Sequence, residues 1–295
     1  MNGVLNVLKP PGMSSFDVIR RLRRVLGIKK IGHTGTLDPG AAGVLPICVG
    51  RATKISEHLM GNPKSYIAEI TFGKATDTQD SYGQEIAVAD CKIEKPDVER
   101  VLLRFTGEIE QQVPMYSAAS VNGVRLYTLA RQGKTVSKPP RKVVIHKIEL
   151  IGGDVNRFLL RVHCSKGTYI RTLCKDIGDA LGVPAYMSFL LRTGTGCFKI
   201  EDSLTLDEVE AAKSAGTERN AFTTMEEALS FLPRVDIPDY LQKIVLTGGT
   251  IDLTKAPQIT VKPGLSYALY CNEELAGIAN CMQNQLKIKT MLKID

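Results

Sequence analysis

Asp38 lies within Gly32-His33-Thr34-Gly35-Thr36-Leu37-Asp38-Pro39-Gly40-Ala41-Ala42-Gly43-Val44-Leu45, a run that holds no other acidic residue and no lysine or arginine. Four glycines allow the chain to turn tightly or to approach a ligand closely, and Pro39 biases Asp38 toward an extended conformation. The same residues suit an ordinary tight turn in which Asp38 bonds its own backbone. If the carboxylate is instead presented to a ligand, it can act as a nucleophile, stabilise developing positive charge or take a proton, none of which requires a metal or redox cofactor.

These residues need elements to hold them. Ser14 is placed to cap a helix that Gly27 ends, with Val18, Ile19, Leu22, Val25 and Leu26 on one stripe and Arg20, Arg21, Arg23 and Arg24 turned away from it. Residues 66–72 and 158–164 alternate with period two and read as half-buried strands. Ile170, Leu173, Cys174, Ile177 and Leu181 repeat at helical spacing before Gly182, so Tyr169 and Arg171 stand at a strand-to-helix junction. Further helical patterns at 97–105 and 206–215 lack regular β-α-β alternation, which favours an α+β fold with a mostly antiparallel sheet. Pro233 and Pro238 flank an expected linker, and the short strand candidates after it suggest a small β-rich second domain.

The 295 residues are 43% hydrophobic, enough for one substantial core or for a larger and a smaller domain. No apolar run approaches the ~18 residues needed to span a bilayer, and the N-terminus lacks the pattern of a signal peptide, so a cytoplasmic location is expected. Seven cysteines form no C-x-x-C pair, which points to reduced thiols rather than a zinc site or a disulfide framework. The formal charge of +7 is unevenly distributed. Residues 113–148 contain no acid but carry Arg125, Arg131, Lys134, Lys138, Arg141, Lys142 and Lys147, a pattern suited to phosphates. Residues 201–239 carry ten acids against three cations and should face away from a nucleic acid. Gly133-Lys134 mimics the end of a phosphate loop, but Thr128 stands where that loop needs glycine, and the serine-hydrolase patterns are missing.

The Asp38 run resembles the aspartate motif of the TruB family of tRNA pseudouridine synthases. Four further stretches resemble the family in the same order: Lys9-Pro10-Pro11-Gly12-Met13-Ser14-Ser15, Lys64-Ser65-Tyr66, Leu126-Tyr127-Thr128-Leu129-Ala130-Arg131, and Cys164-Ser165-Lys166-Gly167-Thr168-Tyr169-Ile170-Arg171. The resemblance implies a pseudouridine synthase fold, with a catalytic domain over residues 1–232 and an RNA-binding PUA-like domain over residues 236–295. It also implies conversion of uridine to pseudouridine at position 55 in the T loop of tRNA without a cofactor or metal. A monomer that needs no guide RNA or protein partner is expected, with a guide-RNA-dependent synthase of the same domain plan and a non-catalytic RNA-binding protein as the alternatives.

For the site, the resemblance implies that Asp38 is catalytic and paired with Arg171, that Tyr66 stacks against the target base, and that Tyr169 packs beside Asp38. His33 would hold the distorted loop, Lys9 and Pro10 would form floor and wall, and Leu190 an apolar wall. Without the resemblance, Tyr66 on its alternating strand would read as core and His33 as a satisfied loop residue. A stacked uridine must be extruded before any carboxylate can reach its ribose. The chain departs from the family pattern at Ser120, where lysine is frequent, and at Leu191, where arginine is frequent; Ser14 stands where threonine is common, which keeps the capping hydroxyl.

Overall fold

The computed structural model describes residues 1–134, 136 and 138–292. Its larger sheet is built from β1 (Gly3–Lys9), β2 (Ile31–His33), β3 (Ala42–Val49), β4 (Lys64–Phe72), β5 (Gly107–Gln111), β6 (Arg141–Asp154), β7 (Arg157–Cys164) and β8 (Ala185–Thr195). The order across it is β1-β3-β8-β4-β7-β6-β5, with β2 paired to β3 and two short strands, Phe222–Thr223 and Phe198–Lys199, completing it. Every pairing is antiparallel except β3 with β8, where Leu191 faces Ala42 and Arg192 faces Gly43. The sheet is therefore mixed and mostly antiparallel, as the sequence suggested.

Helix α1 (Ser15–Leu26) forms where expected. The Ser14 hydroxyl accepts from the Asp17 amide, the Asp17 carboxylate accepts from the Ser14 amide, and Gly27 ends the helix in the left-handed region. Helix α2 (Lys95–Leu102) starts two residues earlier than the sequence pattern, with Pro96 in its first turn, and passes into a 3-10 turn at Leu103–Phe105. Helix α3 (Leu126–Arg131) is short, and α4 (Ile170–Leu181) ends at Gly182.

One face of the sheet packs against α1, α2 and α4. Strand β4 contributes its even positions Tyr66, Ala68, Ile70 and Phe72, and β7 contributes Phe158, Leu160, Val162 and Cys164, so period-two alternation maps onto one buried face. Strands β1 and β3 are different. Leu5, Val7, Leu45 and Ile47 join that core, while Val4, Val44 and Cys48 on the opposite face meet a separate cluster with Phe198, Leu229, Ile278 and Leu292. Burial on both faces explains why β3 reads as a nearly continuous apolar run rather than an alternating one.

Ile278 and Leu292 belong to a second, five-stranded sheet formed by Arg234–Asp236, Ser266–Cys271, Glu274–Met282, Gln285–Met291 and Thr250–Asp252 in that order, which has its own core. The C-terminal unit is β-rich, as expected. The segment between Pro233 and Pro238, read from the sequence as a linker, is instead an edge strand of this sheet: Val235 is buried opposite Leu269 in parallel pairing. Two prolines punctuate a strand boundary as readily as a flexible connection. The two units are also tied by the Lys54 ammonium donating to the Met291 carbonyl at 2.8 Å and by His58 and Thr290 at 3.2 Å.

None of the seven cysteines forms a disulfide, and five of them are buried. Among the described residues, no helix is long and apolar enough to cross a membrane, and no three His, Cys, Asp or Glu side chains gather as metal ligands would.

Candidate active site

The Asp38 loop connects β2 to β3 and is pinned from three sides. From α1, the Ser15 hydroxyl accepts from the Leu37 amide at 2.9 Å and donates to the Leu37 carbonyl at 3.1 Å. From the β1–α1 connection, the Gly12 amide donates to the Pro39 carbonyl at 2.8 Å, and the fully buried Lys9 ammonium donates to the carbonyls of Pro10, Met13 and Pro39 at 2.9, 2.5 and 3.1 Å. Burial pulls the Lys9 ammonium down to about 8, against the charge of Asp38, which favours its protonated form. From β8, Arg192, only 1% exposed, donates to the Val44 carbonyl at 2.6 Å and the Gly35 carbonyl at 3.3 Å. Strand β3 approaches β8 so closely that a Cβ on Gly43, whose φ is +116°, would stand 2.2 Å from the Arg192 carbonyl oxygen.

So held, the Asp38 carboxylate does not turn back onto its own loop. It meets Arg171, in the first turn of α4, in a two-pronged contact: Nε to Oδ2 at 2.9 Å and Nη2 to Oδ1 at 3.2 Å. The guanidinium is buried and held on its other side as well: Nη1 bonds the Thr78 carbonyl at 2.9 Å, Nη2 bonds the Tyr116 carbonyl at 2.9 Å, and the Asp80 carboxylate lies 3.8 Å away. The aspartate side chain keeps 35% of its surface open. Burial raises its pKa above the usual carboxylate range and Asp80 adds to that, while Arg171 and Lys9 oppose it, with the net direction upward.

The open side of Asp38 faces a cavity of about 960 Å³, at the large end of the range for small-molecule sites. His33, Asp38, Arg171 and Leu190 all line it. The His33 Nδ1 accepts from the Gly35 amide at 3.2 Å, and burial, then the charges of Arg192 and Arg125, lower its pKa, so the ring is a neutral brace in the loop. Leu190 supplies an apolar wall from β8, next to a register shift between Met187 and Phe189.

The other residues expected at the site are not among the side chains that line this cavity. Tyr66 is 7% exposed in the core on β4; burial raises its pKa and the charge of Arg192 opposes that rise. Tyr169 precedes Arg171 as the residue flanking α4, with both of its backbone groups tied to the Gln111 side chain, at 3.0 and 3.2 Å. Its hydroxyl accepts from Arg141 at 2.7 Å, and the Arg141 guanidinium sits 4.5 Å from the ring centroid. Lys9 and Pro10 brace the loop from beneath. Sequence reasoning missed Arg192, Thr78, Asp80 and Tyr116. The polar run 76–80 directly after a strand was the available signal for two of these; Tyr116 and Arg192 had none.

The basic segment divides. Arg125 and Arg131 line the cavity with Tyr127, whereas Lys142 pairs with Glu108 and Lys147 with Glu149, each at 2.8 Å, and Lys138 donates to the Ser120 carbonyl. The acidic segment takes up Arg21 of α1 through Asp207 and Glu210. On the same helix, Phe16 is exposed at the cavity, with the guanidiniums of Arg20 and Arg23 5.9 and 6.0 Å from its ring centroid.

Comparison with known proteins places this arrangement. Residues 23–170 match the profile described as "TruB family pseudouridylate synthase (N terminal domain)" and residues 171–246 that described as "tRNA pseudouridylate synthase B C-terminal domain". The boundary between the two profiles falls inside the larger sheet's unit, since α4 and β8 follow it. The chain is 49% identical over 257 residues to tRNA pseudouridine synthase B of Pelotomaculum thermopropionicum, covering 85% of this chain and 81% of the relative. It is 46% identical over 259 residues to the protein of that name from Bacillus subtilis, covering 85% and 84%. The Alkaliphilus oremlandii protein of the same name is 41% identical over 295 residues, covering 99% and 98%. Among solved structures, a Cbf5-Nop10-Gar1 complex matches with a TM-score of 0.78 at 28% identity, and an H/ACA RNP bound to a substrate RNA containing 2'-deoxyuridine with 0.76 at 27%. Each of these alignments covers 99% of this chain and 85% of the other.

Proposed function

This chain belongs to the TruB family and isomerises uridine to pseudouridine in tRNA; on that premise we propose that its target is uridine 55 of the T loop and that Asp38 is the catalytic group. The observation that carries the second part is the two-pronged grip of Arg171 on a carboxylate whose other side opens into a cavity. In the reaction the bond from ribose C1′ to base N1 breaks, the base turns, C5 bonds to C1′, the C5 proton leaves and N1 gains one. An ionised Asp38 serves this chemistry at the ribose, where positive charge develops as N1 departs. Arg171 opposes the burial that favours the protonated carboxyl and fixes the direction of its free lone pairs.

The target nucleoside must leave its stack to enter the cavity. Leu190 and the Leu37 side of the Asp38 loop give it an apolar surround, and Arg125 and Arg131 meet the phosphates that follow it in. Tyr66 supports the site from the core of β4, and Tyr169 holds the start of α4 through the Gln111 side chain. The β-rich C-terminal unit is the PUA-like module that takes a further part of the tRNA. The chain works as a cytoplasmic monomer without guide RNA or partner protein. What supports this is the near end-to-end match to tRNA pseudouridine synthase B of Alkaliphilus oremlandii, set against the complexes at 27–28% identity whose chains extend beyond the match.

The test is incubation of the purified chain alone with unmodified tRNA transcript, followed by mapping of modified positions. Pseudouridine at position 55, absent with Asp38→Asn, is the expected result. Conversion by Asp38→Asn, or dependence on an added RNA or protein, overturns the proposal.

A further inference from the structure

Tyr82 lines the Asp38 cavity yet is 72% exposed. The hydroxyl half of its ring rests on the backbone of Gly40, two residues from the catalytic carboxylate: a Cβ on Gly40 would lie 1.9 Å from Cε2, 2.5 Å from Cζ and 2.8 Å from the hydroxyl oxygen. An exposed aromatic ring is ordinarily free to swing, but the turn that carries this one is fastened. The Asp80 Oδ1 accepts from the Thr78 hydroxyl at 2.6 Å and from the Tyr82 amide at 3.0 Å. The Ser81 hydroxyl donates to the Ser188 carbonyl at 2.8 Å, and the Met187 amide donates to the Gln79 carbonyl at 3.1 Å, which docks the turn onto β8. Arg171 holds the same turn through the Thr78 carbonyl, and the Thr172 hydroxyl holds it through the Gln79 side chain at 3.0 Å.

A rigid aromatic at the mouth of a catalytic cavity offers a base-sized surface at low ordering cost. Phe16 on the same cavity already carries two guanidiniums over its ring. Among the described residues, Tyr82 has neither an aromatic ring nor a guanidinium facing it. The cavity is also large for a single pyrimidine nucleoside, so space remains for a neighbour.

We infer that Tyr82 is a stacking platform for a second unpaired nucleotide, one adjacent to the target uridine, and that its seat on Gly40 aligns that nucleotide with the catalytic loop. The inference rests on the reading of the cavity as the receiver of a flipped uridine in tRNA. Stacking tolerates any base because every base presents a π face, so this contact selects for an unstacked neighbour rather than for its identity.

The experiment pairs protein variants with tRNA transcripts that carry one abasic nucleotide at each T-loop position flanking the target. With wild-type protein, one abasic position raises the Kd about tenfold. Tyr82→Ala raises the Kd for intact tRNA by a similar factor and shows no further loss at that same position, while Tyr82→Phe restores the wild-type pattern. Gly40→Ala, whose added methyl displaces the ring, reproduces the Tyr82→Ala pattern. If the losses from Tyr82→Ala and from every abasic position simply multiply, or if Tyr82→Ala binds tRNA as tightly as wild type or more tightly, the platform is refuted. Failure of the wild-type protein to convert intact tRNA refutes the proposed function instead, and the two results are read from separate lanes of one experiment.

Discussion

Replacing Arg171 with methionine removes the group that opposes the burial of the Asp38 carboxylate. The guanidinium makes two contacts with that carboxylate, at 2.9 and 3.2 Å. A hydrogen bond to a charged group contributes about 1.5–3 kcal/mol, and the lower end applies because Asp38 keeps 35% of its side-chain surface open. Losing both contacts therefore costs about 3 kcal/mol, close to two factors of ten in rate. The effect has a sign in pH. Asp38 works ionised, so activity is present above its pKa and lost as pH falls through it; burial and Asp80 raise that pKa and Arg171 lowers it. Arg171→Met must then move the acid limb of single-turnover conversion to higher pH, and Arg171→Lys, which keeps the charge but not the fork, must move it less. The assay is conversion of tRNA under single-turnover conditions from about pH 5 to about pH 9, with folding checked by thermal melting. If the acid limbs of the Met variant and the wild type superimpose, or if the Met variant retains the wild-type rate, the account of Arg171 as the ioniser of Asp38 is wrong.

Asp38→Asn should abolish conversion while leaving tRNA affinity within about tenfold, or 1.4 kcal/mol, as read by filter binding. Lys9→Met strands the carbonyls of Pro10, Met13 and Pro39; it should lower stability by about 1–3 kcal/mol in urea denaturation, and an unchanged midpoint would contradict its bracing role. Gly43→Ala, with a positive φ and a backbone oxygen 2.2 Å from the new methyl, should cost at least about 2 kcal/mol and is checked by the same denaturation. Binding to tRNA should weaken steeply between about 0.05 and 0.2 M salt, with Arg131→Ala reducing the slope of log affinity against log salt by about one; a flat response would remove the phosphate-binding role of the cavity rim.

The local elements were legible because their signals are local. The Ser14 cap and Gly27 stop bound α1, the even positions of β4 and β7 mark their buried face, and Gly182 ends α4. The Asp38 run announced a loop able to present a carboxylate, and the order of the five stretches pointed to the family. What the sequence left open was whether that carboxylate turns back on its own backbone or outward. The answer depends on Arg171, 133 residues away, and on a guanidinium that also donates to the Thr78 and Tyr116 carbonyls in two other loops. Backbone carbonyls carry no residue signature, so those bonds could not be read from residue types. Tyr66 illustrates the same limit, since a tyrosine on an alternating strand is inward whether it meets substrate or only fills the core. Spacing along a strand sets which face a side chain takes; what occupies the space beyond that face is settled only when distant segments pack together.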